Sequence, residues 1–99
     1  MISDVRNNRS LIEVFDERSK RISYMNAGNK ELAGVGSNFF VVLHSSLIEI
    51  YDENCKRISY MTQGSKTVIG AAGNNFTVKH GGLIETYDED CKRISYKTA

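Results

Sequence analysis

Residues 47–61 read LIEIYDENCKRISYM, and closely related segments lie 36 residues before and after them. The earlier copy is LIEVFDERSKRISYM at 11–25, and the later copy is LIETYDEDCKRISYK at 83–97. The second and third copies share twelve of their first fourteen positions, and the first and second copies share ten. A fixed period of this size indicates units that stack on their neighbours, because one such unit cannot bury its apolar faces alone.

The repeats fill almost the whole chain of 99 residues, which predicts a single repeat domain. We place the repeat boundaries at 1–25, 26–61 and 62–97. The first repeat has no counterpart of ELAGVG at 31–36, so it lacks the first strand of the unit.

Each full repeat predicts four short β-strands. In the second repeat these are ELAGV, NFFVVLH, LIEIYD and KRISYM, and in the third TVIGAA, NFTVKH, LIETYD and KRISYK. β-Branched and aromatic residues dominate these segments, while Gly, Asn, Asp and Ser collect at the joints. The short connections predict antiparallel hairpins, and no stretch has a sustained helical period. The predicted fold class is all-β, with four-stranded antiparallel repeats.

The apolar pattern within the strands distinguishes between repeat architectures. Ile48 and Ile50 point to one face of their strand, while Leu47 and Tyr51 point to the other. A sheet that is apolar on both faces has to lie between other sheets, as propeller blades do. Small residues in the first strand suit the crowded axis of a ring, and the charged KRISY segment suits an outer edge. A β-prism and a β-trefoil are the alternatives for repeats of this size.

Two known families share parts of this pattern. The order hydrophobic-hydrophobic-x-hydrophobic-Tyr-Asp followed by Lys-Arg-Ile resembles the third and fourth strands of a WD-type propeller blade, without the Gly-His and Trp-Asp pairs of WD repeats. The segment FTVKHGGLIETYDEDCKRISY at 76–96 is also similar to the β-prism repeat of the bulb mannose lectins. The sugar motif of those lectins falls on Lys79, Gly81, Leu83, Glu85 and Tyr87, of which only the tyrosine matches. The second resemblance implies an alternative function, a monomeric lectin-like protein that binds carbohydrate.

A propeller fold has a consequence for assembly, because rings contain about four to eight blades and this chain encodes about three. A monomer is expected to expose Ile, Phe and Val on two open blade faces, which favours association. We therefore predict a homo-oligomer, in the simplest case a homodimer that closes a six-bladed ring.

Composition excludes several partner classes. Thirteen basic and twelve acidic residues give a net charge of +1, so no strong field attracts nucleic acid or an anionic membrane. No apolar run approaches the roughly 20 residues of a membrane span, and the start MISDVRNNRS has no apolar signal region. The sequence predicts a cytoplasmic protein without a membrane span.

Repeated acidic turns and cysteines have structural interpretations. Asp16, Asp52 and Asp88 are predicted to accept backbone N–H bonds within turns and to be neutralised by a cross-strand Lys or Arg. Cys55 and Cys91 are predicted to remain unpaired, because equivalent points on adjacent blades lie too far apart for a disulfide.

Candidate ligand-binding residues are His44 and His80, together with Asn8 at the equivalent position of the first repeat. They precede a turn and are expected to lie on one rim. Tyrosines recur at the ends of the RISY segments, where they suit either packing beside the outer strand, which we favour, or an exposed binding stripe. No catalytic set of residues, metal cluster or phosphate-binding loop is evident, so we expect no enzyme activity, cofactor or metal. The predicted function is a binding or interaction module that presents repeated loops to a protein or glycan.

Overall fold

The computed structural model of the chain describes residues 1–8 and 10–98, except for the side chain of Asn8. This part of the chain forms eleven β-strands in three antiparallel sheets of three, four and four strands. The all-β prediction is confirmed. Within the described residues, a helix with the length and apolar character needed to cross a membrane is not found.

The sheets follow the sequence repeats, and we call them blades 1, 2 and 3. Blade 1 contains β1 (Asp4–Asn8), β2 (Leu11–Phe15) and β3 (Arg21–Asn26). Blade 2 contains β4 (Glu31–Val35), β5 (Phe39–His44), β6 (Leu47–Asp52) and β7 (Arg57–Thr62). Blade 3 contains β8 (Thr67–Ala72), β9 (Asn75–His80), β10 (Leu83–Asp88) and β11 (Arg93–Thr98). Within each blade the strands pair in chain order, as expected for successive hairpins.

The repeats also share their irregularities. The pairing of the last two strands shifts between Val14 and Phe15, and the same shift recurs 36 and 72 residues later. A bulge of this kind bends a strand and increases its twist, which protects an edge strand from pairing with another chain. The repeats are therefore equivalent in backbone geometry as well as in sequence.

The acidic turns have the predicted local role. The Oδ1 atom of Asp52 accepts hydrogen bonds from the backbone N–H groups of Asn54 and Lys56, both at 2.9 Å. Cys55 in the same turn has a positive φ of 61°, and the equivalent Ser19 and Cys91 have 62° and 60°. These residues are not glycine, yet they adopt the left-handed region, and the hydrogen bonds of the aspartate that caps the turn stabilise this conformation.

The hydrophobic core consists of two layers between the blades. Between blades 1 and 2 lie Val5, Ile12, Val14, Phe40, Val42 and Tyr51. Between blades 2 and 3 lie Phe39, Val41, Ile48, Ile50, Phe76, Val78 and Tyr87. Both faces of blade 2 are thus buried, which confirms that alternate residues of its strands pack in opposite directions.

Small residues lie where the blades converge. A Cβ atom at Gly34 would be 3.2 Å from the Cβ of Ala71, so β4 and β8 run close together. At Gly36 a Cβ would collide with the ring of Phe39 and lie 2.8 Å from the carbonyl oxygen of Gly73. The predicted strand order is confirmed: the small-residue strands lie at the converging side, and the RISY strands β3, β7 and β11 form the opposite edge.

The open face of blade 3 differs from the expected apolar surface. Asn75, Thr77 and Thr86 occupy the positions that Phe39, Val41 and Ile50 hold in blade 2. Only part of the expectation is met: these three residues are polar, but the apolar Ile69 and Ile84 remain on this face, Ile69 with 57% exposure. Polar outer faces are typical of terminal units in stacked repeats, since they reduce the apolar area in contact with water.

The open face of blade 1 is modified in the same way. Asp4 and Arg6 stand where blade 2 has Phe40 and Val42, and they form an ion pair at 2.9 Å. The guanidinium of Arg6 lies 4.7 Å above the ring of Phe15, which is half-buried beneath it. Phe15 is an aromatic side chain that remains on this face.

Candidate interaction surface on the outer strands

A glutamate lies in the middle of the third strand of each repeat. Glu49 and Glu85 are both only 3% exposed, and Glu13 is the equivalent residue of blade 1. Burying an ionised carboxylate is unfavourable unless hydrogen-bond donors or cations surround it. The partners of these glutamates therefore determine how the outer half of each blade is built.

In blade 2 three side chains approach Glu49. Arg57 Nη1 lies 3.0 Å from Glu49 Oε2, and the hydroxyl of Tyr51 donates to Oε1 at 3.1 Å. His44 Nδ1 lies 3.3 Å from the same Oε1 atom. Both carboxylate oxygens thus have partners, and the bond to the guanidinium is of the strong, charge-assisted kind.

Blade 3 repeats this arrangement around Glu85. Arg93 Nη1 lies 2.9 Å from Oε2, while Tyr87 donates to Oε1 at 3.2 Å and His80 Nδ1 lies 3.4 Å from it. The hydrogen bond from Arg93 lowers the pKa of Glu85, against the opposing effect of burial. Burial and the neighbouring carboxylate raise the pKa of Tyr87, and the same causes raise the pKa of Tyr51 to about 12. Both tyrosines are therefore neutral hydrogen-bond donors at neutral pH.

These contacts correct the arginine half of the prediction that a cross-strand Lys or Arg neutralises the turn aspartate. The arginine that follows each acidic turn pairs with the buried glutamate of the neighbouring strand rather than with the turn aspartate. In blade 1 the pair is Arg21 Nη1 with Glu13 Oε2 at 2.9 Å. The bulge explains this choice, because it places the arginine opposite the aromatic residue two positions after the glutamate.

Each of these arginines also covers a tyrosine of its own strand. Arg21 lies 4.5 Å from the ring centre of Tyr24, Arg57 lies 4.6 Å from Tyr60, and Arg93 lies 4.7 Å from Tyr96. Such distances are typical of cation–π contacts. We call these three pairs the Arg–Tyr stripe.

The tyrosines of the Arg–Tyr stripe are largely accessible. Tyr24, Tyr60 and Tyr96 are 56%, 56% and 61% exposed. The favoured prediction, packing beside the outer strand, is wrong, because the arginine covers only one part of each ring at the edge of its blade. The observed exposure agrees with the alternative of an exposed stripe, whose role in binding stays a prediction. Tyr60 lies on blade 2, which packs against blade 1, and Tyr24 lies on blade 1, whose other face is open. The exposed fractions of the two tyrosines are nevertheless equal. Packing between blades therefore leaves the stripe accessible.

The predicted ligand residues belong to the glutamate networks. His44 and His80 end β5 and β9, and each imidazole contacts the buried glutamate of its own blade. Asn8 ends β1, but its side chain lies outside the described residues. Their role in ligand binding stays a prediction. Among the described residues, His, Cys, Asp and Glu side chains do not gather in threes as metal ligands would.

The burial of the glutamates was not predicted from the sequence. In LIEIYD the glutamate lies between two isoleucines. Simple alternation therefore places Glu49 on the face that Leu47 and Tyr51 share, opposite to the isoleucines. That face is buried in blade 2, and the glutamate is therefore buried as well. The recurring arginine eight residues later was the signal that could have identified the pair.

A second repeated contact joins each blade to the next. The hydroxyl of Ser23 donates to the backbone carbonyl of Glu53 and lies 3.3 Å from Cys55 Sγ. Ser59 donates in the same way to the carbonyl of Glu89 at 2.6 Å and lies 3.4 Å from Cys91 Sγ. We call this contact the turn–serine junction.

The cysteines of these turns are free thiols. Burial is the main cause that raises the pKa of Cys55 and of Cys91. Each sulfur contacts the serine of the preceding blade, so both cysteines pack within a junction as small residues.

Comparison with solved structures agrees with this architecture. The chain is similar to BamB from Moraxella catarrhalis, a β-propeller protein, with a TM-score of 0.61 and 13% sequence identity. The similarity covers 96% of this chain and 32% of BamB, so the chain spans about a third of that protein. No family model matches the sequence, and no curated protein matches it. The fold is therefore propeller-like, as predicted, rather than the alternative β-prism or β-trefoil.

Proposed function

We propose that the protein is a non-enzymatic protein-interaction module that binds a partner through the Arg–Tyr stripe. The propeller-like fold supports an interaction role in general terms. The observation that carries the specific proposal is the exposed Arg–Tyr pair that recurs once in every blade. A cytoplasmic location stays a prediction from the sequence.

The chemistry of the pair suits protein recognition. Tyrosine and arginine are enriched among the residues that dominate binding energy at protein interfaces. Each tyrosine offers an apolar ring and a hydroxyl, and Ile58 beside Arg57 adds a 40% exposed apolar side chain. The equivalent Ile22 and Ile94 are also exposed. A surface that mixes apolar area with hydrogen-bonding groups fits a peptide or protein partner.

The buried glutamates contribute by holding the arginines in place. A guanidinium fixed by a carboxylate on one side and a tyrosine ring on another loses little freedom when a partner binds. The same pairing balances its charge, so the stripe is not a concentrated cationic patch of the kind that binds nucleic acid. These features favour a partner with a mixed polar and apolar surface.

Three copies of one pair allow multivalent binding. A partner with repeated motifs would gain avidity by contacting more than one blade, provided that its linkers span the distance between them. We therefore expect loss of one tyrosine to weaken binding and loss of all three to abolish it.

Displayed libraries of random peptides test this proposal, with a glycan array as a parallel probe. The test variant carries Tyr24→Ala, Tyr60→Ala and Tyr96→Ala, and the matched control is Ile69→Ala, which removes an exposed apolar side chain outside the stripe. Circular dichroism first establishes that both variants keep the all-β fold.

The proposal expects peptides that bind the unmodified chain and the Ile69→Ala control but not the triple variant. Peptides that bind the triple variant equally well would contradict the assignment to the stripe. Glycan binding without peptide binding would contradict the protein-partner proposal and favour the lectin-like alternative. Binding to neither probe would also count against an interaction module of this kind.

A further inference from the structure

Each turn–serine junction joins the acidic turn of one blade to a serine of the preceding blade. Within the described residues, one acidic turn and one such serine do not take part in a junction. Within the chain, the acidic turn of blade 2 docks on Ser23, and that of blade 3 docks on Ser59. Blade 1 has the same acidic turn at residues 16–20, with no preceding blade within the described chain for it to contact. Blade 3 has the same serine, Ser95, which is exposed to solvent.

The turn of blade 1 already has the conformation seen in the docked turns. Asp16 Oδ1 accepts hydrogen bonds from the N–H groups of Arg18 and Lys20 at 2.9 and 3.0 Å, as Asp52 does in blade 2. Ser19 has a φ of 62°, close to the 61° of Cys55. The carbonyl of Glu17 is therefore presented like the carbonyl of Glu53, which accepts a bond from a serine. Little reorganisation is needed for this turn to dock.

The open face of blade 3 provides a matching surface next to its serine, because Ser95 pairs across the strands with Thr86 of this face. A cavity of about 360 Å³ lies on this blade, and its lining includes Ile69, Asn75, Thr77 and Thr86. The last three occupy the positions of Phe39, Val41 and Ile50, which in blade 2 pack against Phe76, Val78 and Tyr87 of the following blade.

The open face of blade 1 offers the complement to this cavity. Phe15 is the counterpart of Tyr51 and Tyr87, the aromatic residues that each pack into the preceding junction. A second copy placed with its blade 1 against blade 3 would set Phe15 in the position that Tyr87 holds against blade 2. Aromatic side chains supply a large share of the apolar area in such contacts.

We infer that the occupant of the open face of blade 3 is blade 1 of a second copy of this chain. Ser95 then donates to the carbonyl of Glu17 of the second copy, and Ser19 takes the place of the junction cysteine. Because the contact joins two different surfaces, repeating it once in a pair of chains closes a ring of six blades. The interface continues the blade stacking that the chain uses twice internally.

The polar residues on both faces determine the strength of this contact. Asp4, Arg6 and Thr77 replace aromatic or aliphatic side chains that fill the internal junctions, so less apolar area is removed from water. The pairing is therefore weaker than the internal junctions and depends on protein concentration. It is independent of the proposed function, because the tyrosines of the Arg–Tyr stripe have equal exposure on covered and uncovered blades.

Engineered disulfides test the placement directly. In the internal junctions the serine Oγ and cysteine Sγ lie 3.3 and 3.4 Å apart, so thiols at both positions should bridge after a small side-chain rotation. The test protein carries Ser19→Cys and Ser95→Cys in a background of Cys55→Ser and Cys91→Ser. Serine is acceptable at both background positions because blade 1 has Ser19 there. The matched control is Ser59→Cys with Cys91 retained, which should bridge within one chain.

After mild oxidation, the proposal expects a covalent dimer on a non-reducing gel, with peptide mapping showing the bond between positions 19 and 95. The Ser59→Cys control is expected to remain a monomer with an internal bridge. A test protein that stays monomeric, with thiols free or bridged within one chain, would overturn the proposal. A ladder of larger species would overturn the closed ring of two chains.

A second variant keeps the test independent of disulfide geometry. Ser95→Arg places a long charged side chain on an exposed position of blade 3, so it should block docking without disturbing the core. In sedimentation velocity, the unmodified chain should increase in mass with concentration, and the variant should not. Equal behaviour of the two proteins would overturn the inference.

Discussion

One pair of matched substitutions tests whether the blade faces have the burial described above. Val41 is fully buried between blades 2 and 3, and Thr77 holds the equivalent position on the open face of blade 3. Val41→Thr and Thr77→Val are therefore the same chemical exchange in opposite directions, at one buried and one open site.

The expected magnitudes follow from burial. Val41→Thr replaces a methyl with a hydroxyl of similar size inside an apolar layer, and an unpaired hydroxyl there costs about 1–3 kcal/mol of unfolding free energy. In a domain of this size each 1 kcal/mol lowers Tm by about 4–8 °C. Thr77→Val changes a partly exposed residue, so its effect on the unfolding free energy of the monomer should stay within about 0.5 kcal/mol.

Urea unfolding followed by circular dichroism measures both effects. The protein concentration is kept low, so that association adds nothing to the apparent stability. If Val41→Thr unfolds at the same urea concentration as the unmodified chain, Val41 is not buried in an apolar layer. If the two substitutions change the unfolding free energy by the same amount, the two faces are equally covered, contrary to the structure.

Three further predictions concern the repeated networks. Because Arg93 lowers the folded-state pKa of Glu85, the stability from the ionised carboxylate is complete above the ordinary pKa of 4.5 and is lost as pH falls through the lower folded value. Glu85→Gln should therefore flatten the dependence of the urea midpoint on pH below about 4.5, and an unchanged curve would contradict the pairing. Cys91→Ser should change the unfolding free energy by less than about 0.5 kcal/mol. Cys91→Val should lower it by roughly 1–2 kcal/mol, because a β-branched side chain is strained at a φ of 60°. Equal urea midpoints for the two variants would argue against that backbone geometry. Gly36→Ala should lower the unfolding free energy by about 1–3 kcal/mol, because the added Cβ collides with the ring of Phe39. Gly82→Ala should be nearly neutral, because its Cβ meets no atom within 4 Å. Similar effects of the two variants in thermal melts would count against the close packing of Phe39 on Gly36.

Much of the fold follows from local patterns in the sequence. The strands β4 to β11 lie within one or two residues of the predicted segments, because each repeat has both β-forming runs and turn residues at fixed places. The two-sided apolar pattern of LIEIYD also predicted that blade 2 is covered on both faces. These features depend on residues close in sequence, which is why they could be recognised without the structure.

The candidate surface was harder to predict, because it depends on contacts between strands. In the sequence, Glu49 resembles any polar residue of a strand. Its partner Arg57 lies beside it only because of the bulge between β6 and β7, which the local pattern does not predict. The exposure of Tyr60 depends on what lies outside β7, which local pattern does not specify. The aligned repeats show that Thr86 replaces Ile50. The structure explains this difference, because Thr86 lies on the open face of blade 3, whereas Ile50 is buried between two blades.

Small-angle X-ray scattering of the unmodified chain over a concentration series decides whether two copies close a ring of six blades, because it reports mass and shape together. We predict that the mass from forward scattering rises from 11.1 kDa toward twice that value, with a radius of gyration that increases as the ring closes. A mass of 11.1 kDa and a radius near 13.1 Å at every concentration would contradict it. The series should extend to about 1 mM, where a dimer whose two contacts together contribute about 4 kcal/mol holds half of the chains.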